Sequence, residues 1–269
     1  MRVPVVHQQG RRRRARWSRL LWNGAEILVT LGVVLLLLVA HQLWWTNRQA
    51  REGAERKVQA LEREWGEGRD TSGGGGGEDS GGDGGGDRPV TGGAGASGGG
   101  SGAGSGTRRA PAAADARPRW TQAYAVLTIP RLGLRVPVAE GVSKPDVLNK
   151  GYVGHYPDTA QPGRAGNFAL AGHRNTHGEP FRYVNRLRRG DRIEVGTRDA
   201  TYTYVVDRTL PQTSPRDGGV IREIPRSTVR PAHGYTDPGY YLTLTTCTPE
   251  YTSKYRLVVW GKLSSMRPR

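Results

Sequence analysis

A single cysteine, six histidines and an excess of arginine over lysine set the chemistry open to this 269-residue chain. Cys247 closes the run Tyr-Leu-Thr-Leu-Thr-Thr-Cys, which has the β-branched composition of a strand, and Thr-Pro-Glu comes directly after it. A strand end that opens into a Pro-containing loop puts the thiol at the rim of a sheet. To act as a nucleophile the sulfur needs a base or acid beside it and a donor for the developing oxyanion. His173 comes after Phe168-Ala-Leu-Ala-Gly, a second strand end whose small residues allow close approach. Arg256 begins another strand-like run nine residues after Cys247. A loop of that length between antiparallel neighbours can bring the two level, where a guanidinium supplies fixed donors. Each residue also has a plainer reading. An isolated Cys is often a small buried hydrophobe, and Arg256 is one of thirty-five arginines.

The other histidines are weaker candidates. His7 and His41 lie before or at the edge of an apolar span, while His155, His177 and His233 fall in loops and read as surface residues. His173 and His177 have i, i+4 spacing, but no Glu lies between them and glycines flank the stretch, a poor zinc helix. One thiol also excludes an intramolecular disulfide and a Cys-rich zinc site. Neither a metal nor another cofactor is expected.

The elements that must position these residues begin at Trp120. Strand-like runs are Tyr124–Ile129, Leu134–Val138, Phe168–Ala171, Arg192–Val195, Thr201–Val206, Tyr241–Thr245 and Arg256–Trp260, with turn residues between them. Lys144–Lys150 reads as one or two helical turns and Phe181–Leu187 as a short helix. Seven or eight short strands with few helices predict a mostly β fold, a closed and mostly antiparallel barrel. The loop 211–239 is rich in Pro and Gly, a candidate for holding a ligand. No glycine fingerprint for nucleotides stands after a strand.

The remainder of the chain is of a different kind. From Leu20 to Ala40 it is apolar except for Asn23 and Glu26, long enough to cross a ~30 Å hydrocarbon layer, and Trp44 and Trp45 stand where an aromatic belt belongs. A cleaved signal peptide is the rival reading, but the residues before Ala40 are bulky. Six arginines from Arg11 to Arg19 hold the N-terminal flank in the cytoplasm, so the chain beyond the span is expected to be extracellular. A nucleic-acid role for this basic run has neither interleaved aromatics nor a fold behind it.

The chain thus divides into five segments: 1–19 basic and cytoplasmic, 20–45 a membrane anchor, 46–65 a juxtamembrane segment that reads as a short exposed helix, 66–119 a disordered linker, and 120–269 the catalytic domain. Of the 40 glycines, 21 lie between Gly66 and Gly106, a stretch too poor in apolar surface to fold. A flexible linker of 54 residues spans roughly 40 Å, so the domain is expected to roam near the membrane at no fixed height. The net charge of +16 divides with the segments: the first 22 residues carry seven Arg and no acid, and residues 120–269 carry twenty-two basic groups against twelve acidic. That excess favours anionic headgroups or wall polymers as neighbours.

Taken together, these residues resemble a known family. Thr243-Leu-Thr-Thr-Cys247 is similar to the T-L-x-T-C signature of sortases, Ala171-Gly-His173 to their catalytic His motif, and Arg256 in Tyr-Arg-Leu-Val-Val to their essential Arg. All three stand in the family's order, and the resemblance covers about Trp120 to Leu263. His155-Tyr-Pro, Gly166-Asn-Phe-Ala-Leu-Ala-Gly-His-Arg and Thr176-His-Gly-Glu-Pro-Phe look most like class E sortases of high-GC Gram-positive bacteria. The resemblance implies an eight-stranded β-barrel and a cysteine transpeptidase. Cys247 would attack the Thr carbonyl of a Leu-Ala-x-Thr-Gly-type (or Leu-Pro-x-Thr-Gly-like) C-terminal sorting signal on secreted proteins. Arg256 would stabilise the oxyanion, and His173 would protonate the departing Gly amine. An amine of a peptidoglycan precursor would resolve the thioacyl-enzyme. Tyr156 and Thr246 are the expected substrate contacts.

Three other readings stay open at this stage. A pilus-building sortase typically carries an Asp-Pro-aromatic lid before the barrel, and here that region is the Gly-rich tether with only Asp87-Arg-Pro89. An L,D-transpeptidase calls for His before a Gly-Cys pair, which Thr245-Thr246-Cys247 lacks. A tethered, non-catalytic binding barrel with a buried Cys247 is the third.

Overall fold

The N-terminal span does not stop at the membrane boundary that its hydropathy suggests. In the computed structural model, which describes residues 9–70 and 118–269, a single helix, α1, runs unbroken from Gln9 to Asp70. It contains an 18-residue stretch of mean hydropathy 2.3, and it is the one helix among the described residues long and apolar enough to cross a membrane. Beyond it Ala50, Ala54, Val58, Leu61 and Trp65 are buried, at spacings of three and four residues that put them on one helical face. The expected exposed juxtamembrane segment is thus corrected. The apolar stripe packs on the globular domain, and at its edges Arg51 and Glu62 pair with Glu179 and Arg135 of that domain. Of the linker expected over 66–119, residues 66–70 instead continue α1, and residues 71–117 lie outside the described residues.

Eight strands close into a barrel in the order β1-β2-β3-β4-β7-β8-β6-β5. They are β1 (Ala123–Ile129), β2 (Leu134–Glu140), β3 (Val153–His155), β4 (Gly166–Ala171), β5 (Arg192–Gly196), β6 (Ala200–Thr213), β7 (Tyr240–Thr248) and β8 (Tyr255–Pro268). Alternating side chains of these strands fill the interior, where Leu127, Ile129, Val138, Phe168, Leu170, Ile193, Leu242 and Leu244 are inaccessible to solvent or nearly so. Burying one such side chain contributes about 1.5–3 kcal/mol, so this cluster rather than strand propensity holds the barrel closed. Two pairings are parallel, β2 with β3 and β4 with β7, and the rest are antiparallel.

Several local expectations are corrected. Val153–His155 is a strand, and His155 is not a surface residue: it is 1% exposed, with Nδ1 2.7 Å from Glu140 and Nε2 2.9 Å from the Thr159 hydroxyl. Three residues are too few to show a period of two, so the strand was not legible. Of the helix expected over Phe181–Leu187, only a 3₁₀ turn at Val184–Arg186 forms, and Lys144–Lys150 ends in a 3₁₀ turn, Leu148–Lys150. Strand β6 continues through Pro211 to Thr213, so the loop to β7 begins later than its composition suggests. Inside that loop the buried Asp217 carboxylate accepts hydrogen bonds from Thr213, Ser227 and Thr228 and ties the start of the loop to its middle.

Candidate active site

The parallel pairing of β4 with β7 builds the site. In its register Ala171 faces Thr245, so the chain two residues further along each strand places His173 beside Cys247 at one rim of the barrel. The alignment persists beyond the last ladder pair. Gly172 N–H donates to the Thr245 carbonyl at 3.2 Å, and the Thr246 hydroxyl donates to the Gly172 carbonyl at 2.8 Å. Gly172 is required here because a Cβ would meet the Phe181 ring at 2.7 Å. On the other side of β7, the antiparallel register with β8 makes Cys247 and Arg256 direct cross-strand partners. Cys247, His173, Arg256, Tyr156 and Thr246 all line one cleft of about 580 Å³. Two other depressions, beside Tyr235 and Arg226, border the loop between β6 and β7 and contain none of these five residues.

His173 is held by Asn149 on the Leu148–Lys150 turn, whose Oδ1 lies 2.9 Å from its Nε2. An amide oxygen only accepts, so Nε2 carries the proton and Nδ1 keeps the lone pair of a base. Burial, followed by the nearby His177 and Lys144, lowers the pKa of His173 from 6.5 to about 4. The imidazole is therefore neutral at pH 7. His177 stacks on it with ring centroids 5.4 Å apart, and its own pKa is lowered by burial. Among the described residues no group of three His, Cys, Asp or Glu is placed to hold a metal.

The remaining expected residues take distinct places. Arg256 Nη1 donates to the Ser253 and Tyr255 carbonyls, each at 3.0 Å, which braces the β7–β8 loop beside the thiol. The Tyr156 hydroxyl lies 3.0 Å from the Thr245 hydroxyl at the cleft wall. Thr246 is 3% exposed and its hydroxyl is committed to Gly172, so its side chain acts in joining β7 to β4.

Sequence reasoning missed Arg174 and Asn149. Arg174 is 7% exposed, and its Nη1 donates to the Cys247 carbonyl at 3.2 Å and to the Thr248 hydroxyl at 2.9 Å. No carboxylate pairs with it among the described residues, and its Nε has no partner. A buried cation without a carboxylate partner costs folding free energy that its hydrogen bonds offset only in part. The only available signal was its position immediately after His173.

Comparison with known proteins now decides the family. A family model described as "Sortase domain" matches residues 127–264. The chain belongs to the sortase family. Among curated relatives, Sortase SrtE1 of Streptomyces coelicolor is 41% identical over 249 residues, 91% of this chain. The alignment spans 57% of that relative's length. Sortase SrtE2 of the same organism is 33% identical over 243 residues, 88% of this chain and 79% of the relative. The crystal structure of Sortase E1 from Streptomyces coelicolor with a tripeptide in the active site is 52% identical and has a TM-score of 0.52. It matches 55% of this chain and 92% of that one. The SrtA sortase from Actinomyces oris is 32% identical with a TM-score of 0.50, over 57% and 86% of the two chains. The class E likeness seen in the motifs is thus shared with the two curated relatives and with the Sortase E1 structure. Sortases are cysteine transpeptidases, and the cleft of this sortase holds the single thiol of the chain.

Proposed function

We propose that this chain is a membrane-anchored cysteine transpeptidase. It cleaves a C-terminal sorting signal of the Leu-Ala-x-Thr-Gly or Leu-Pro-x-Thr-Gly type between Thr and Gly, and transfers the protein to an amine of the peptidoglycan precursor. The observation that carries this reading is the convergence of Cys247, His173 and Arg256 on one cleft, with Cys247 and Arg256 paired across β7 and β8. The family membership and the tripeptide in a relative's active site support a peptide occupant.

The geometry suggests the roles. His173, neutral and with Nδ1 available, accepts the Cys247 proton as the thiolate attacks the Thr carbonyl. The imidazolium so formed returns that proton to the departing Gly amine, leaving a thioacyl-enzyme. An incoming amine attacks the thioester, His173 takes its proton, and the thiolate leaves to be reprotonated. Arg256 supplies donors where negative charge develops on the carbonyl oxygen. The reading also places the N-terminus in the cytoplasm and the barrel outside, with residues 20–45 as the anchor and 120–269 as the catalytic unit. Incubating the full chain with a Leu-Ala-x-Thr-Gly peptide and triglycine tests it: Cys247→Ala should abolish release of the Gly fragment and transfer to triglycine. Survival of both reactions would refute the mechanism.

A further inference from the structure

The extramembrane half of α1 touches both elements that hold His173. On one side, Val58 and Leu61 pack with Val147, Leu148 and Ala171, the residues that flank Asn149 and lead into Gly172-His173. Gly151, which ends the Asn149 turn at φ +79°, lies so close to the helix that a Cβ would be 2.8 Å from the Ala50 carbonyl oxygen. On the other side, Asn47 Oδ1 accepts from Gly178 N–H at 2.9 Å. Arg51 Nε donates to the Gly178 carbonyl at 3.1 Å, and its Nη2 lies 3.1 Å from the Glu179 carboxylate. His177, Gly178 and Glu179 all have positive φ, so the turn needs outside contacts to keep its shape.

That turn is wired to both catalytic strands. Phe181 N–H donates to the His173 carbonyl at 3.0 Å, closing the loop that begins at the imidazole. The buried Glu179 also pairs with Arg182 at 2.6 Å, and Arg182 reaches Tyr251 and Glu250 in the loop after Cys247. Because α1 is continuous, Arg51 lies eleven residues beyond Ala40, or ~16 Å along the axis from the end of the apolar stretch.

We infer that the anchor helix is a brace behind the active site rather than only a tether to it, with Asn47 and Arg51 as positioning residues that act on His173 through the Gly178–Glu179 turn and keep the cleft close to the bilayer. This inference rests on the transpeptidase reading. The test uses the full chain in phosphatidylcholine–phosphatidylglycerol vesicles, with peptide cleavage and amide hydrogen exchange measured on each variant. In Asn47→Ala/Arg51→Ala, kcat should fall about tenfold while KM stays within about twofold, since misplacing a catalytic group costs turnover more than binding. Exchange should quicken in residues 173–182 only, and Arg51→Lys with Asn47 intact should recover most of kcat. Unchanged kcat, a change confined to KM, or faster exchange throughout the barrel would each overturn the inference. Cys247→Ala run alongside separates the two failures: cleavage that persists in it refutes the transpeptidase reading, whereas its loss with a fully active double variant refutes the positioning role alone.

Discussion

Asn149 Oδ1 accepts the Nε2 proton of His173 at 2.9 Å, from a 3₁₀ turn twenty-four residues earlier in the chain. This one bond sets both the tautomer and the ring orientation, leaving Nδ1 as the basic nitrogen.

Replacing that amide should therefore change the titration of the site as well as its rate. Asn149→Asp puts a carboxylate beside an imidazole whose pKa is about 4 because of burial, His177 and Lys144. An opposite charge at that distance raises a pKa by about 1–3 units. The acid limb of the kcat/KM profile should move upward accordingly, while Asn149→Ala should lose about tenfold in kcat. An acid limb in the Asp variant that coincides with the parent's would show that the bond does not govern the base.

Arg174 calls for a different pair of measurements, because a buried guanidinium with no carboxylate partner costs stability. Arg174→Met keeps the aliphatic volume and removes the charge. Its thermal midpoint should equal or exceed the parent's, whereas turnover should fall by about tenfold or more as β7 loses its clasp at the Cys247 carbonyl. A variant that is both stable and fully active would assign Arg174 a packing role only.

Acid should weaken the fold in two separate steps. His173 is held neutral in the folded chain down to about pH 4, while the unfolded chain takes up a proton below 6.5. Its contribution is complete above pH 6.5 and is lost as the pH falls toward 4, at up to one proton's worth, about 1.4 kcal/mol per pH unit. Asp217 acts lower: burial raises its pKa, but hydrogen bonds from Ser227, Thr213 and Thr228 outweigh this and keep it below 3.8. Its contribution is present above that value and lost beneath it. Urea titrations between about pH 8 and 4 should show a slope that His173→Gln flattens; an identical slope in both proteins would mean that another group titrates.

Much of this protein was legible along the chain because the relevant information is local. The apolar span, the basic flank, the strand runs and the motifs around His173, Cys247 and Arg256 are read from neighbouring residues. So is the likeness to sortases, which the family model then bears out over residues 127–264. Short elements were harder. Three-residue β3 and the turn at Val184–Arg186 form because packing, not their own periodicity, selects them.

The features that could not be read there depend on residues distant in sequence. The pairing of β4 with β7 is parallel, and that register alone brings His173 level with Cys247; composition is blind to strand direction. Asn149 and Arg174 look like ordinary turn residues until the barrel closes around them. The stripe Ala50, Ala54, Val58, Leu61, Trp65 is present in the sequence, yet charged neighbours disguise it, and an amphipathic face does not name what it covers. Only the folded chain presents Leu148, Ala171 and the Gly178–Glu179 turn as one surface, because apolar burial and a buried carboxylate together select where the helix lies.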